Sequence, residues 1–400
     1  MRKFSYRAIK ANGSKIEEQY EANSREEVVS MITSLGYYPL KIEEVKSSSL
    51  GEISFNRKIT VKDLSLFCRQ MHTMLDAGIS ITNSLEMLST QVTNKKLQEI
   101  IVEMQNDVKK GEMLSFSMKK YPDEFPRLLV SMVESGEASG NLDEMMLRMA
   151  IQYEKENKIN SKIKSAMIYP IMICIVAIIA MAVIMIVVMP TFKEIFESEN
   201  ISLPLLTKGL IGLSELMVKW WYIILLIIIA MAFALHKFRK TNKGYVFFSK
   251  FKLKIPIVSK LTKKIVVSRF TRTLATLITS GVPIIEALPI VQGVLRNSVA
   301  EEEMEIIKER VVRGDGLSVP IKESLVFPDL LASMVNIGEE SGSLEDMLNK
   351  TADFYDDEVD VAITNATAMI EPILIIIMGV GIGAIVIAIM LPLFNMYSAL

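Results

Sequence analysis

Cysteine, histidine and net charge are all scarce in this chain. Two cysteines, Cys68 and Cys174, the second inside an apolar run, cannot make a disulfide framework, so the soluble parts are expected to face a reducing compartment. The two histidines stand far apart in sequence, and no Gly-x4-Gly-Lys-Ser/Thr phosphate loop occurs; both absences argue against an intrinsic ATPase or metallohydrolase. Cys68 and His72 share a helix face at i, i+4, but two ligands make no structural zinc site, and a small apolar thiol beside a surface histidine is the plainer account. No enzyme activity, metal or cofactor is expected. A formal net charge of −1 argues against a nucleic-acid surface. The opening MRKFSYRAIKANG lacks the apolar core of a cleavable signal peptide. Charge itself is missing from Ser165 to Phe192 and from Pro372 to Leu400, and both stretches exceed the roughly 20 apolar residues needed to cross hydrocarbon.

What is present is a duplication. Pro126 to Leu147, PRLLVSMVESGEASGNLDEMML, returns 202 positions later as Pro328 to Asn349, PDLLASMVNIGEESGSLEDMLN, with 12 of 22 positions identical. Upstream the offset is 203: Phe67, Arg69, Thr73, Gly78, Ile81 and Leu85 correspond to Phe270, Arg272, Thr276, Gly281, Ile284 and Leu288, and Gly111, Leu114 and Ser115 to Gly314, Leu317 and Ser318. One residue is lost just before Phe327-Pro328. The alignment continues into the uncharged stretches, where Pro170 matches Pro372, Pro190 matches Pro392 and Phe192 matches Phe394.

Half the residues are apolar, which points to a membrane class, and 400 residues allow two or three domains. The fold predicted is mainly α and polytopic: two homologous helical bundles, three transmembrane helices and a small N-terminal α+β module. Residues 1–46 alternate as ββαβ, with a turn at Asn12-Gly13 and a helix cap at Asn23-Ser24; 47–58 form a linker. Bundle copy 1 occupies 59–164, opening with a capping pair Thr60/Asp63 and an apolar face of Leu64, Phe67, Met71, Met74 and Leu75, with Gly78 and Gly111 ending helices. Spans are expected at 165–189, 220–236 and 369–392, the second short and opened by the interfacial aromatics Trp220-Trp221-Tyr222, with a re-entrant or interfacial helix as its alternative. A loop at 190–219 and a tail at 393–400 face outward, and copy 2 fills 237–368. Lys155, Lys158, Lys162 and Lys164 precede the first span and seven Lys/Arg from Lys237 to Lys254 follow the second, so both bundles and the N-terminus are expected in the cytoplasm.

The sharpest motif is Gly-Glu-x-Ser-Gly, at Gly136, Glu137, Ser139 and Gly140 and again at Gly338, Glu339, Ser341 and Gly342. Two accounts stand side by side. In one it is a tight connection, with glycines in special backbone conformations, Ser139/Asn141 and Ser341/Ser343 capping the following helix (capping-box spacing Asn141/Glu144 and Ser343/Asp346), and Glu answering that helix's free amides. In the other it is a contact point or bistable joint on which a partner acts. Gly379 and Gly383 in the third span have the spacing that lets transmembrane helices approach closely. At the membrane edge Glu371 precedes Pro372 where copy 1 has Tyr169 before Pro170; an ionisable group there is a functional candidate, or it snorkels to water.

Duplicated bundles with Gly-Glu-x-Ser-Gly-x-Leu, a span after each, an extra span between them and a small N-terminal module resemble the type II secretion protein F and type IV pilus assembly protein C family over essentially the whole chain. The resemblance implies a homo-oligomeric platform in the bacterial inner membrane. Its partners would be a hexameric cytoplasmic ATPase, pilin or pseudopilin in the membrane, and other inner-membrane assembly proteins. It departs at the span entrances, Tyr169 against Glu371, so the halves are not expected to be equivalent. A small transporter is the rival, disfavoured because no span carries a mid-membrane charge; a membrane-bound signalling scaffold is the third possibility, without any visible pocket to support it.

Overall fold

The structure is a computed structural model that describes residues 2–9, 15–22, 25–44, 58–198 and 203–398. The turn at Asn12-Gly13, the cap at Asn23-Ser24, nearly all of the 47–58 linker and the last two residues lie outside the described residues.

The N-terminal module forms a unit by itself. Strands β1 (Arg2–Ile9), β2 (Lys15–Ala22) and β3 (Tyr38–Glu44) make an antiparallel sheet ordered β2-β1-β3, with helix α1 (Arg25–Ser34) between β2 and β3 in the chain. Alternate residues of β1, Phe4, Tyr6 and Ala8, point to one face and are buried with Val28 and Ile32, which stand i, i+4 on α1. The register shifts between Arg7 and Ala8, where Leu40 of β3 is left without a partner on β1.

Copy 1 runs α2 (Val61–Asp76), α3 (Ile81–Gln91), α4 (Lys95–Lys109), α5 (Leu114–Lys119), α6 (Arg127–Ser139) and α7 (Leu142–Val183). The Thr60/Asp63 capping box forms, and Leu64, Phe67, Met71 and Met74 are buried as their spacing requires. The glycines expected to end helices do so by geometry: Gly78 and Gly111 sit at φ +77° and +93°, and the amides of Gly78 and Ile79 return to Leu75 and Met74. In copy 2, Gly281 and Gly314 repeat this at φ +80° and +100°. Copy 2 comprises α11 (Pro256–Thr279), α12 (Ile284–Val294), α13 (Ser298–Arg313), α14 (Ser318–Glu323), α15 (Asp329–Ser341) and α16 (Leu344–Ser398), preceded by α8 (Met189–Ser198), α9 (Leu205–Arg239) and α10 (Asn242–Lys254). Each core carries the same aromatic contact, Phe67 on Phe125 and Phe270 on Phe327, with centroids 6.0 and 4.9 Å apart. Burial of each such side chain is worth about 1.5–3 kcal/mol.

Among the described residues, three helical stretches are long and apolar enough to cross a membrane: Leu142–Ser198, Leu205–Arg239 and Leu344–Phe394. The segment 190–219 expected as a loop is therefore largely helix. Pro190 does not end the first stretch, because a single π turn, Ile184–Val188, precedes it and the Met189 amide reaches back to Ile184. The next partner in that pattern would join the Pro190 nitrogen, which has no hydrogen, to the Met185 carbonyl; the Ser214 hydroxyl donates to that carbonyl instead at 2.5 Å. Likewise Thr207 Oγ1 donates to the Ala388 carbonyl at 2.7 Å, tying α9 to α16. Around these bonds Met185, Met189, Ile211, Ile385 and Ile389 bury one another. The backbone of α9 leaves helical geometry at Trp220 (φ −119°, ψ 21°), so the helix bends where the second span was expected to begin.

Candidate functional site

Gly136 lies inside α6 rather than in a turn, and its missing side chain matters. A Cβ there would come within 2.9 Å of the Leu142 Cα, and one on Gly338 within 2.8 Å of the Leu344 Cα, so these glycines let the outgoing helix fold back against the incoming one. Gly140 and Gly342 supply the reversal itself, at φ +77° and +68°. Glu137 stands next to the close approach. Its carboxylate accepts from the amides of Leu114 at 2.6 Å and Ser115 at 3.1 Å; Glu339 accepts from Leu317 and Ser318 at the same two distances. These are first-turn amides of the short helices α5 and α14, which a charged acceptor satisfies strongly.

This corrects the expected capping in three respects. Glu caps a helix some 20 residues earlier in the chain, not the one that follows. Ser139 and Ser341 turn inward to the carbonyls four residues back, Ser135 and Ile337. Asn141 makes no side-chain cap bond and Glu144 pairs with Arg148 on the next turn, because the αL reversal aims the backbone away from the box geometry. Ser343 shares its hydroxyl with Ser341.

Beyond the joints, α7 and α16 run side by side in the same direction, as the rising order of their contacts shows. Lys155 pairs with Asp353 (3.1 Å) and Asp356 (3.4 Å), Lys162 with Asp360, and Tyr169 Oη donates to Glu371 Oε1 at 3.4 Å. The membrane-edge candidates Tyr169 and Glu371, equivalent positions in the two copies, thus meet each other; Pro170 and Pro372 follow them inside unbroken helices. Arg272 spans Asp353 and Asp356 at 2.6 Å each. Its counterpart Arg69 makes a bidentate pair with Glu154 at 2.7–2.8 Å. Glu156 lies 2.8 Å from Arg296 and 3.8 Å from Arg269. Burial pulls the Arg269 guanidinium down from its ordinary value, and Glu156 opposes that. Arg296 holds a left-handed backbone, φ +53°, unusual for a residue with a side chain. At the joint of copy 1, Ser135 Oγ donates to the Ser280 carbonyl beside the Gly281 turn of copy 2 at 3.0 Å.

Of these contacts, the sequence points to the repeated motifs and to Glu371; the inter-copy ion pairs leave no signal in it, where Lys155 and Lys162 read only as orientation signals. Cys68 is fully buried, which pushes its thiol up. His72 Nδ1 lies 2.9 Å from the Asp143 carbonyl, a contact that requires the ring nitrogen to donate and that ties α2 to the start of α7. A Cβ added at Gly379 or Gly383 would meet nothing within 4 Å among the described residues, whereas one at Gly381 between them would lie 3.4 Å from Met181 Sδ.

Residues 67–190 and 270–392 each match the family described as type II secretion system (T2SS), protein F, and residues 1–43 match the protein F N-terminal domain. The two repeat matches begin 203 residues apart and end 202 apart, the spacing of the internal duplication. Similar proteins include the type IV pilus assembly protein PilC of Thermus thermophilus, 37% identical over 401 residues that cover 99% of this chain and 98% of that one. PilC of Myxococcus xanthus is 34% identical, covering 99% and 95%. Type II secretion system protein F of Xanthomonas campestris pv. campestris is 28% identical, covering 99% of each. Matched twice by the same repeat and along nearly its full length, the chain belongs to the type II secretion system protein F family.

Proposed function

We propose that this chain is a non-enzymatic platform of the bacterial inner membrane that serves a type IV pilus or type II secretion machine. It couples a separate hexameric ATPase to the extraction of pilin or pseudopilin from the bilayer and its addition to a filament. One observation carries the mechanical part. Each Gly-Glu-x-Ser-Gly joint opens directly into a helix, α7 or α16, that runs from its bundle into an uncharged span, so a displaced bundle moves lipid-embedded segments with it. The names of the relatives support the choice of machine. The Lys and Arg placement supports an N-terminus and both bundles in the cytoplasm, where the ATPase is. Gly379 and Gly383, where an added Cβ would meet open space, are offered as contacts between copies in a homo-oligomer, and the remaining assembly proteins of the inner membrane as neighbours.

The test is in the cell. Cross-linking the full-length chain should capture the cognate assembly ATPase, and a strain lacking the chain should lose filaments or secretion; normal filaments and secretion in that strain would sink the proposal. Glu371, whose carboxylate takes the Tyr169 hydrogen bond at the membrane edge, is offered as a contact for pilin or a neighbouring copy. Glu371→Gln should then lower assembly while membrane insertion stays normal.

A further inference from the structure

A cleft of about 540 Å³ opens between the start of α11 and the stretch of α16 just before it enters the uncharged run at Pro372. Its floor is apolar, formed by Leu261, Ala362, Ala366 and Met369, and its polar lining comes from Lys260, Lys264 and Asn365. Residues 362 to 372 of a helix cover about 15 Å along the axis, which is the depth of the headgroup zone and the first methylenes below it. Lys264 is neutralised by Glu358. Lys260 is exposed and, among the described residues, has no ion-pair partner.

The chain that leads into this cleft carries charge of one sign, while the acidic residues of α16 beside it are partnered: Glu358 by Lys264, Asp360 by Lys162, and Glu371 by the Tyr169 hydroxyl. Between Glu215 and Glu286 the sequence has no acidic residue, while seven Lys and Arg lie between Lys237 and Lys254. Those residues belong to the end of α9 and to α10, the helix that delivers the chain to the cleft at Pro256. On α10, Phe247 and Phe251 are exposed and stacked with centroids 6.2 Å apart, and the Arg239 guanidinium covers the Phe248 ring at 5.5 Å. Exposed aromatic rings among cations are the chemistry of a helix lying in a membrane surface.

We infer that the cleft between α11 and α16 seats one anionic phospholipid of the surrounding bilayer, its phosphate against Lys260 and its upper acyl chain along Leu261, Ala366 and Met369. A soluble phosphate would lose water against this apolar floor with too few donors to replace it. A zwitterionic lipid would bring its own cation towards Lys260. The seat lies where α16 passes from bundle to span, so lipid charge would bear on the packing of that helix.

The test uses the full-length chain in detergent, titrated with phosphatidylglycerol and with phosphatidylcholine of the same acyl chains and read by native mass spectrometry. Wild type should retain phosphatidylglycerol preferentially. Lys260→Gln should weaken that preference about fivefold, the effect of one cation at a membrane surface. Lys260→Arg should keep it, and Lys208→Gln, a basic residue on the other side of the spans, should leave it unchanged. Ala366→Leu, which fills the floor, should lower retention without lowering Tm. Equal retention of the two lipids, an unaffected Lys260→Gln protein, or complete displacement of phosphatidylglycerol by millimolar inorganic phosphate would each overturn the inference.

Discussion

Copy 1 and copy 2 agree where backbone geometry is demanding and diverge where only charge is at stake. Glu137 and Glu339 meet their paired amides at identical distances, and Gly136 and Gly338 would each place a Cβ under 3 Å from the following helix. The ion pairs match only in part. Arg69–Glu154 and Arg272–Asp356 are equivalent pairs at the offsets of the repeat, but in copy 2 Asp353 joins the pair and Lys155 from copy 1 reaches both aspartates. At the membrane edge the equivalents differ outright, and Tyr169 donates to Glu371. A close helix approach tolerates one residue type; a surface charge pair can be rewired at little cost. The duplication thus kept two joints and spent its freedom on the contacts that bind the copies together.

The largest expected effect tests the joints. Gly136→Ala and Gly338→Ala put a methyl group onto backbone rather than onto a movable side-chain tip, so each should destabilise the chain by about 3 kcal/mol, the upper end for overpacking. Thermal unfolding of the detergent-solubilised protein would measure it. Equal losses in the two copies would confirm equivalent joints. Gly140→Ala and Gly342→Ala meet no atom within 4 Å and should cost only the left-handed backbone penalty, about 1 kcal/mol.

Next come Glu137→Ala and Glu339→Ala. Each removes a charged acceptor from two amides and should cost about 2 kcal/mol, with fraying of α5 or α14 seen as faster amide exchange at Leu114 and Ser115 or at Leu317 and Ser318. Slow exchange at those amides in the variants would show that another acceptor takes over.

These residues also show how far the sequence could be followed. The spans, the glycine turns and the duplication were legible because each follows from a local rule: apolar length, positive φ, or identity at fixed spacing. Glu137 stands in the motif that the sequence marks, but its partner is hidden there, since Glu just before a helix resembles a cap for that helix and the amides it meets belong to α5. The better signal was the repeat of Leu114-Ser115 as Leu317-Ser318 at almost the same offset as the glutamates. Helix through Pro190 was hidden because its support, the Ser214 hydroxyl on the Met185 carbonyl, comes from 29 residues away. Lys155 and Lys162 carried an orientation signal that masked their pairing with Asp356 and Asp360, and no single helix pattern reveals a contact between two helices 200 residues apart.

A smaller effect separates the two arginines. The Arg272 and Asp356 side chains are 13% and 21% exposed, against 36% and 46% for Arg69 and Glu154. Arg272→Gln should therefore cost roughly 2 kcal/mol, between the surface and buried limits, and Arg69→Gln less than about 1 kcal/mol. Similar losses would mean that the added contacts of Asp353 and Lys155 make the copy 2 pair no stronger than its equivalent in copy 1.

The smallest effect is a pH dependence confined to Asp353 and its two cations, Arg272 in its own copy and Lys155 in the other. Burial raises the Asp353 carboxyl, but hydrogen bonds from Arg272 and Lys155 outweigh it and hold the group below its ordinary value. A depressed folded-state value means the unfolded chain binds the proton first. The stabilisation from Asp353 is therefore complete above the ordinary aspartate value of about 3.9 and is lost as pH falls from there through the folded value. Asp353→Asn should lower Tm slightly at pH 6 and lose that difference as the solution is acidified below pH 4. Because Asp353 is two-thirds exposed, 0.5 M salt should shrink the pH 6 difference as well. A difference that persists in acid and in salt would place the role of Asp353 in packing between α16 and α11 and not in its charge.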